Sequence, residues 1–373
     1  MLFPYTYVPH QMEKMQVFVD FIFYDVWCKA PIGLVFHPDL FAGNSDLKEV
    51  MTEFGFAANA ALRGKSFYKD VKEIYDLFSP LLATEVAQFK QWYRDNNEPE
   101  KICANDPQVS PIRYKDLVAK HPILGKRLAS FFRGLYDDSL LGLSALKKKI
   151  GNIKDHSRIF FDKNNVGKCP FCGIGDLKGI HHTRREAYDH YLPKCRYPFN
   201  SINFRNLAPA CHECNSVFKL SKDPAHTSKN PAKTIRRRAA FYPYKTVAHS
   251  IGLKIELQHS DIAKLTPADI TLQFGPAAIA QEIDTWKDVY GIEERYKSKL
   301  CTESDGKAWL QQVLDEWKEL GKDPQDFLNT LAFNTGKRPF TDCNFLKQPF
   351  LDACRRKGIF NEEHADRHVW RLS

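Results

Sequence analysis

Two cysteine pairs with the same internal spacing constrain the fold of this chain more than any other feature of its sequence. Cys169 and Cys172 form the first C-x2-C pair, and Cys211 and Cys214 form the second, with 38 residues between the pairs. Two intervening residues allow a tight turn that aims both sulfurs at one point, and two such pairs complete a tetrahedral thiolate shell. We therefore predict a closed, structural zinc site, with four unrelated core cysteines as the alternative.

Size and composition indicate a folded protein with more than one domain. The length of 373 residues suggests two or three domains. A hydrophobic fraction of 43% against 27% charged residues argues against a mainly disordered chain. No run of about 18 apolar residues is present, so we expect no membrane partner, and we expect no secretory signal. Ten cysteines in such a chain favour metal binding over disulfides, so the predicted location is cytoplasmic.

Periodicity and composition divide the chain into four predicted regions. Residues 1–150 have apolar side chains at helical spacing and form a predicted helical N-terminal domain. Residues 166–222 are rich in cysteine, histidine, proline and asparagine. Residues 223–250 form a predicted basic linker, and residues 251–373 combine alternating, strand-like stretches with helical patterns. The predicted fold class is α+β and mostly helical, with a mixed α/β C-terminal extension.

Side chains suited to hydrolysis lie between and beside the cysteine pairs. The segment YDHYLPK contains Asp189 and His190, and NLAPACHECN contains Asn206 and Asn215. An imidazole titrates near neutrality and can take a proton from water. Mg²⁺ prefers oxygen ligands and keeps several waters, so one carboxylate and one amide suffice as protein ligands. Taken singly, these residues are better explained as a surface carboxylate, a packed histidine and turn or cap asparagines.

In this order, and framed by the cysteines, the segments resemble the HNH endonucleases, also called ββα-metal or His-Me finger nucleases. The resemblance covers residues Cys169 to Lys219. Within the family, this segment is most similar to the branch that carries two C-x2-C pairs. It implies a zinc-pinned ββα-metal core within residues 166–222. It also implies hydrolysis of nucleic-acid phosphodiester bonds, with DNA favoured, to leave 5′-phosphate and 3′-hydroxyl ends.

The resemblance implies a role for each polar residue of the motif. His190 would act as the general base. Asp189 and Asn215 would hold one catalytic Mg²⁺ or Mn²⁺, and Asn206 would brace the loop that orients His190. Asn215 stands where other members have the last histidine of the motif, a variant that also occurs in the family. Proteins of this layout occur in phage defence and mobile elements, sometimes with a separate ATPase as partner.

Basic residues around the predicted core suggest contact with a polyanion. The formal charge is +9, and residues 215–245 contain eight cationic residues against one acidic residue. Clustered lysine and arginine bind phosphate backbones through counterion release. A solvated, flexible surface run is the alternative for this stretch. The predicted nucleic-acid contacts are Lys194, Arg196, Lys219, Arg236, Arg237 and Arg238.

Two other functions remain open at this point. A zinc ribbon that binds nucleic acid without cleaving it would keep the cysteines, although binding alone does not require Asp189, His190 and Asn215. An effector that is silent until a partner activates it would keep the whole motif. No glycine-rich phosphate-binding loop is present, so we expect no nucleotide hydrolysis by this chain.

Overall fold

A computed structural model describes residues 1–227, 234–247 and 250–361 of the chain. The described part is mostly helical and contains two small antiparallel sheets, which agrees with the predicted α+β class. None of its helices is both long and apolar enough to cross a membrane. Contacts between Cα atoms divide the chain into two compact units. The division into four regions stays a prediction.

The larger unit, hereafter the helical unit, comprises Pro4–Gly167 and Leu177–Thr246. Its aromatic core contains Trp27, whose indole N–H donates to the carbonyl of Val71 at 2.9 Å and whose ring stacks on Phe78. Lys229 and Lys233 of the predicted basic linker lie outside the described residues. The α-helices described in this unit are α1 Lys14–Phe21, α2 Ser45–Phe56, α3 Leu62–Phe78, α4 Ala83–Asn96, α5 Pro99–Cys103, α6 Tyr114–Lys120, α7 Pro122–Leu135, α8 Asp138–Leu141, α9 Ser144–Ile150 and α10 Ile153–Lys163.

Proline placement explains two helix boundaries. Pro80 lies between two helices, since α3 ends at Phe78 and α4 begins at Ala83. Proline has no backbone N–H and its ring clashes with the preceding turn, so it is unfavourable in a helix interior. At the first position of α7, Pro122 is well tolerated, since the first N–H groups of a helix have no intrahelical partner.

A short hairpin and a following helix form the centre of the helical unit. Strand β1, Tyr188–His190, pairs antiparallel with strand β2, Leu207–Pro209. A π-helix, Glu213–Lys219, follows β2. The hydroxyl of Tyr5 donates to the carbonyl of Pro209 at 2.9 Å, and Tyr244 donates to the carbonyl of Leu207. The hairpin is therefore bonded to residues from both ends of the helical unit's sequence.

Asparagine side chains fasten the loop of residues 198–206 to the end of α4. Asn96 is fully buried, and its Nδ2 donates to the carbonyls of Ile112 and Pro198 at 3.0 and 2.9 Å. Its Oδ1 accepts from the N–H of Ile112 at 2.8 Å. In return, Asn200 donates to the carbonyl of Asn96 at 3.2 Å. The loop thereby obtains the backbone hydrogen bonds that a strand would otherwise supply.

The smaller unit, hereafter the C-terminal unit, comprises Met1–Phe3, Lys168–Asp176 and Val247–Ser373, of which residues 248–249 and 362–373 lie outside the described part. Its two strands pair antiparallel, with Gly252 opposite Gly275. Both strands were predicted from alternating residues, and the structure confirms them. The elements described in this unit are β3 Gly252–Leu257, β4 Ile270–Gly275, α11 Ala280–Tyr290, α12 Ile292–Cys301, α13 Ala308–Leu320, α14 Pro324–Lys337 and α15 Asn344–Arg356.

The substitution Asn96→Leu tests the asparagine contacts. It removes the partners of a buried N–H and of two carbonyls, and each unsatisfied buried group costs about 1–3 kcal/mol. We expect the free energy of unfolding to fall by about 3 kcal/mol, measured by urea denaturation. The same substitution at the exposed Asn59 is the control and should change stability by less than about 0.5 kcal/mol. Equal effects at both positions would contradict a bonding role for Asn96.

Candidate functional site

The four cysteines predicted to bind zinc come together in the structure. Their sulfur atoms all lie within 4.8 Å of one another, and all four residues are buried. A tetrahedral ion with Zn–S bonds of about 2.3 Å holds its sulfurs about 3.8 Å apart, so the cluster has a suitable size. Among the described residues, no other group of three or more histidine, cysteine or acidic side chains is arranged to hold a metal. The cluster therefore fits the predicted zinc site.

A tight turn builds the first cysteine pair. The N–H groups of Cys172 and Gly173 both donate to the carbonyl of Cys169, at 3.3 and 2.7 Å. Gly173 has a φ of 70°, and a Cβ at this position would lie 2.4 Å from a methyl group of Leu2. The N–H of Gly175 donates to the sulfur of Cys172 at 3.4 Å. A backbone donor of this kind stabilises the thiolate that metal binding requires.

The second pair connects the hairpin to the π-helix. Cys211 follows shortly after β2, and Cys214 lies within the π-helix. The N–H of Asn215 donates to the carbonyl of Cys211 at 3.0 Å. The helix ends at Lys219, and the positive φ of 47° at the next residue, Leu220, is incompatible with further helix. The second cysteine pair thus fixes where the helix begins relative to the hairpin.

Asp189 forms a buried ion pair with Lys219. The ammonium of Lys219 lies 2.8 Å from Oδ1 of Asp189, and the two side chains are 0% and 4% exposed. The same ammonium donates to the carbonyl of His190 at 2.9 Å. Oδ2 of Asp189 is buried and has no hydrogen-bond partner in the described structure. Burial raises the pKa of the Asp189 carboxyl, and the Lys219 ammonium opposes that rise.

The place of Lys219 differs from its predicted role in contacting nucleic acid. The sequence sets Lys219 about one turn beyond Asn215 on the same helix, and the structure keeps that spacing. This face of the helix points towards the hairpin, so the ammonium bonds to Asp189 and is removed from solvent. In this structure Lys219 stabilises the core of the site and has no surface to offer a phosphate.

His190 is held in one tautomer by the backbone. Its Nε2 lies 2.8 Å from the carbonyl oxygen of Ser201. A carbonyl only accepts, so Nε2 carries the proton and Nδ1 keeps a free lone pair in the neutral ring. The ring of Tyr136 stands perpendicular to the imidazole at 4.9 Å. Burial and the positive charges of Lys194 and Lys219 lower the pKa of His190 to about 3, so the ring is neutral near pH 7.

Asn206 braces the segment that follows His190. Its Oδ1 accepts from the N–H of Leu192 at 2.8 Å, and its Nδ2 donates to the carbonyl of Leu192 at 3.0 Å. The same Nδ2 reaches the carbonyl of Asn200 at 3.4 Å. Asn200 immediately precedes Ser201, whose carbonyl bonds to His190. Asn206 thus connects β1 to the loop that orients the imidazole.

Two other predicted site residues, Asn215 and Lys194, form few side-chain hydrogen bonds with the residues around Asp189 and His190. Asn215 is half-buried, and among the described residues no hydrogen bond joins its side chain to Asp189. Lys194 donates weakly to the carbonyls of Arg133 and Tyr136, at 3.3 and 3.4 Å. Both side chains therefore remain available for further ligands.

The arginines predicted to contact nucleic acid have different environments. Arg236 is exposed. Arg237 donates to the carbonyls of Asp106 and Val109 at 3.0 and 2.6 Å, and Arg238 donates to the carbonyl of Asp223 at 2.7 Å. Arg196 donates through Nε to the carbonyl of Ser221. Arg237 and Arg238 thus fasten their segment to the helical unit, whereas Arg236 stays at the surface.

Sequence reasoning missed the groups that orient His190. The Ser201 contact uses a backbone carbonyl, which no residue type signals. Tyr136 comes from the end of α7, far from the motif in sequence. The only available signal was the density of asparagine in residues 200–206, because asparagine side chains commonly bond to loop backbone.

The substitution Cys211→Ser tests the zinc site. Loss of one thiolate should abolish zinc binding and destabilise residues 166–222, because structural zinc contributes folding free energy directly. Zinc content by atomic spectroscopy and protease resistance of this region are the measurements. Cys195→Ser changes an exposed cysteine and should keep full zinc and normal resistance. Full zinc stoichiometry in Cys211→Ser would contradict a four-thiolate site.

The substitution Lys219→Met tests the buried ion pair. It leaves the Asp189 carboxylate buried without its cation, which typically costs about 3–5 kcal/mol of unfolding free energy. Adding Asp189→Asn should restore part of that loss, as measured by urea denaturation. Lys72→Met breaks the exposed pair with Asp76 and should cost less than about 1 kcal/mol. Equal losses in the two single variants would show that Lys219 does not stabilise buried charge.

Comparison with known proteins gives one similarity. No known protein family matches this chain, and no solved structure matches it. The chain is similar to the protein ea31 of Escherichia phage lambda, with 36% identity over 216 residues. The matched segment covers 54% of this chain and 63% of the phage protein, so the chain spans less than two thirds of that relative's length.

Proposed function

We propose that this protein is a metal-dependent endonuclease of the HNH type that hydrolyses phosphodiester bonds of nucleic acid, with DNA as the favoured substrate. The observation that carries the proposal is the hydrogen bond from His190 to the carbonyl of Ser201. It leaves the lone pair of Nδ1 free on a strand that also carries Asp189. Oδ2 of that aspartate has no hydrogen-bond partner among the described residues, so a proton acceptor and a potential metal ligand are adjacent in the chain.

His190 would act as the general base. Hydrolysis requires a group that removes a proton from the attacking water, and neutral imidazole can do so. The low pKa keeps the ring neutral, and a bound phosphate would raise that pKa because an adjacent anion favours the protonated ring. Asn206 would act as a positioning residue, since its bonds to Leu192 and Asn200 hold the segments on both sides of the ring.

Asp189 and Asn215 would hold the catalytic Mg²⁺ or Mn²⁺. Oδ2 of Asp189 is a buried, hard oxygen without a hydrogen-bond partner among the described residues, which suits such an ion. Asn215 lies one turn before Lys219, the residue that bonds to the other oxygen of Asp189. When bound, the ion neutralises charge on the phosphate and on the leaving oxygen. The Lys219 ammonium contributes positive charge beside the same carboxylate.

The proposal also includes the fold around the site, the biological setting, a partner and a location. The four cysteines would pin hairpin and helix as a ββα-metal core between a helical N-terminal region and a mixed C-terminal extension. The proposed setting is phage defence or a mobile element, and the similar protein ea31 is a phage protein. An ATPase partner and a cytoplasmic location complete this proposal.

The substitution His190→Ala tests the proposed function. Loss of the general base should lower the cleavage rate by at least about 100-fold, while zinc content and folding persist. Nicking of supercoiled plasmid by purified protein with Mg²⁺ is the measurement, and Mn²⁺ should also support it. His212→Ala, which changes an exposed histidine between the second pair of cysteines, is the matched control. Undiminished nicking by His190→Ala would remove His190 from the mechanism.

A further inference from the structure

A basic pocket lies on the helical unit outside the hairpin and π-helix. Its volume is about 780 Å³. Residues from α6, α7 and the segment after β1 line it, and none of these lining residues is acidic. Five of them are cationic; four lie within residues 113–133, and the fifth lies after β1. These five are Arg113, Lys115, Lys126, Arg133 and Arg196.

Two buried polar atoms of the pocket residues have no hydrogen-bond partner in the described structure. They are Nε of Arg113 and the hydroxyl oxygen of Tyr114, and both residues are less than one tenth exposed. The carboxylate of Asp223 lies 3.9 Å from Nε of Arg113, beyond hydrogen-bond distance. Buried donors without acceptors are costly and rare in folded proteins. Both atoms are closed to solvent, so the donors that an anion can reach from outside are those of the exposed Lys115, Lys126 and Arg133.

Arg133 is held in place with most of its donors free. Its guanidinium lies 4.6 Å above the ring of Tyr114, and one terminal nitrogen donates to the carbonyl of Cys195 at 2.9 Å. A guanidinium carries five N–H donors, so this bond uses a small part of its capacity. Lys115 and Lys126 are exposed at the rim. The pocket thus combines a guanidinium held by two contacts with two exposed ammonium groups.

Bonds connect the pocket to His190. Arg133 directly follows Phe132, whose carbonyl accepts a hydrogen bond from the hydroxyl of Ser201. The carbonyl of Ser201 in turn accepts from His190. Lys194 donates to the carbonyl of Arg133 at 3.3 Å. The pocket and the imidazole therefore share the end of α7 as a common wall.

We propose that this pocket binds backbone phosphates of the nucleic-acid strand that His190 cleaves. The proposal rests on the proposed function and adds a substrate contact outside the motif. Small-molecule sites are mostly apolar and enclose their ligand, whereas this pocket is lined by five cations and no acid. Phosphate backbones are bound through such groups without regard to base sequence.

Charge reversal at the rim tests the pocket. Lys115→Glu/Lys126→Glu is compared with Lys147→Glu/Lys148→Glu, which alters the same charge at exposed positions that do not line the pocket. Both pairs are made in the full chain carrying His190→Ala, so that cleavage does not consume the probe. Binding of a fluorescent DNA oligonucleotide, single-stranded or duplex, is measured by anisotropy over a range of salt concentrations.

We expect the pocket pair to weaken binding at least about tenfold and to lower the slope of log affinity against log salt by about 1 to 2. The control pair should leave both quantities nearly unchanged. Equal weakening by the two pairs would overturn the proposal, and so would absence of oligonucleotide binding. Both readouts are independent of cleavage. A protein that binds through the pocket but never cleaves would thus contradict the proposed function and leave only the phosphate contact of the pocket standing.

The thiol of Cys195 provides a direct readout, because Cys195 lines the pocket and is exposed. We expect the oligonucleotide to slow alkylation of Cys195 by iodoacetamide, located by peptide mass spectrometry, and Lys115→Glu/Lys126→Glu to remove that protection. Inorganic phosphate and a nucleoside triphosphate at the same phosphate concentration should protect much less. Stronger protection by the nucleoside triphosphate would replace the proposed strand with a small nucleotide.

Discussion

The hydrogen bond from His190 to the Ser201 carbonyl is the interaction on which the chemistry of this hairpin depends. It fixes the tautomer, and it is only as stable as the loop that presents the carbonyl. That loop has little regular structure of its own. Amide side chains of Asn96 and Asn206 supply its backbone with partners instead. Such a network is stabilising only when it is complete, since each unmatched buried group carries its full desolvation cost.

Buried charge next to this bond couples the imidazole to the carboxylate. The Lys219 ammonium lies against Asp189 and also disfavours a proton on His190, so one cation affects both groups. At low dielectric, positive charges that share one carboxylate repel each other strongly. A divalent ion on Oδ2 of Asp189 would therefore bind more weakly while Lys219 stays on Oδ1. Its affinity should depend on how far the lysine can withdraw or on a phosphate that offsets the added charge.

The sequence predicts the parts of this site that depend on local spacing. Two C-x2-C pairs anticipated the sulfur cluster, and alternating residues anticipated the strands β3 and β4. It could not predict the orientation of a side chain relative to distant elements. Lys219 was assigned to the surface because its charge is visible in the sequence and its partner's position is not. Arg237 and Arg238 belong to the most basic run, yet backbone carbonyls engage them.

Positive charge available to a ligand therefore has to be counted in space and not along the chain. The triple-arginine segment is prominent in sequence but uses two of its three guanidinium groups internally. The pocket gathers five cations from two consecutive helices and the segment after β1, and three of them, Lys115, Lys126 and Arg133, are exposed. Affinity for a polyanion grows with the number of phosphates neutralised together, so converging side chains count for more than a dense run. Arg133 directly follows Phe132, whose carbonyl accepts a hydrogen bond from Ser201. A nucleic-acid strand bound in the pocket would therefore also affect the hydrogen bond that holds Ser201 beside His190.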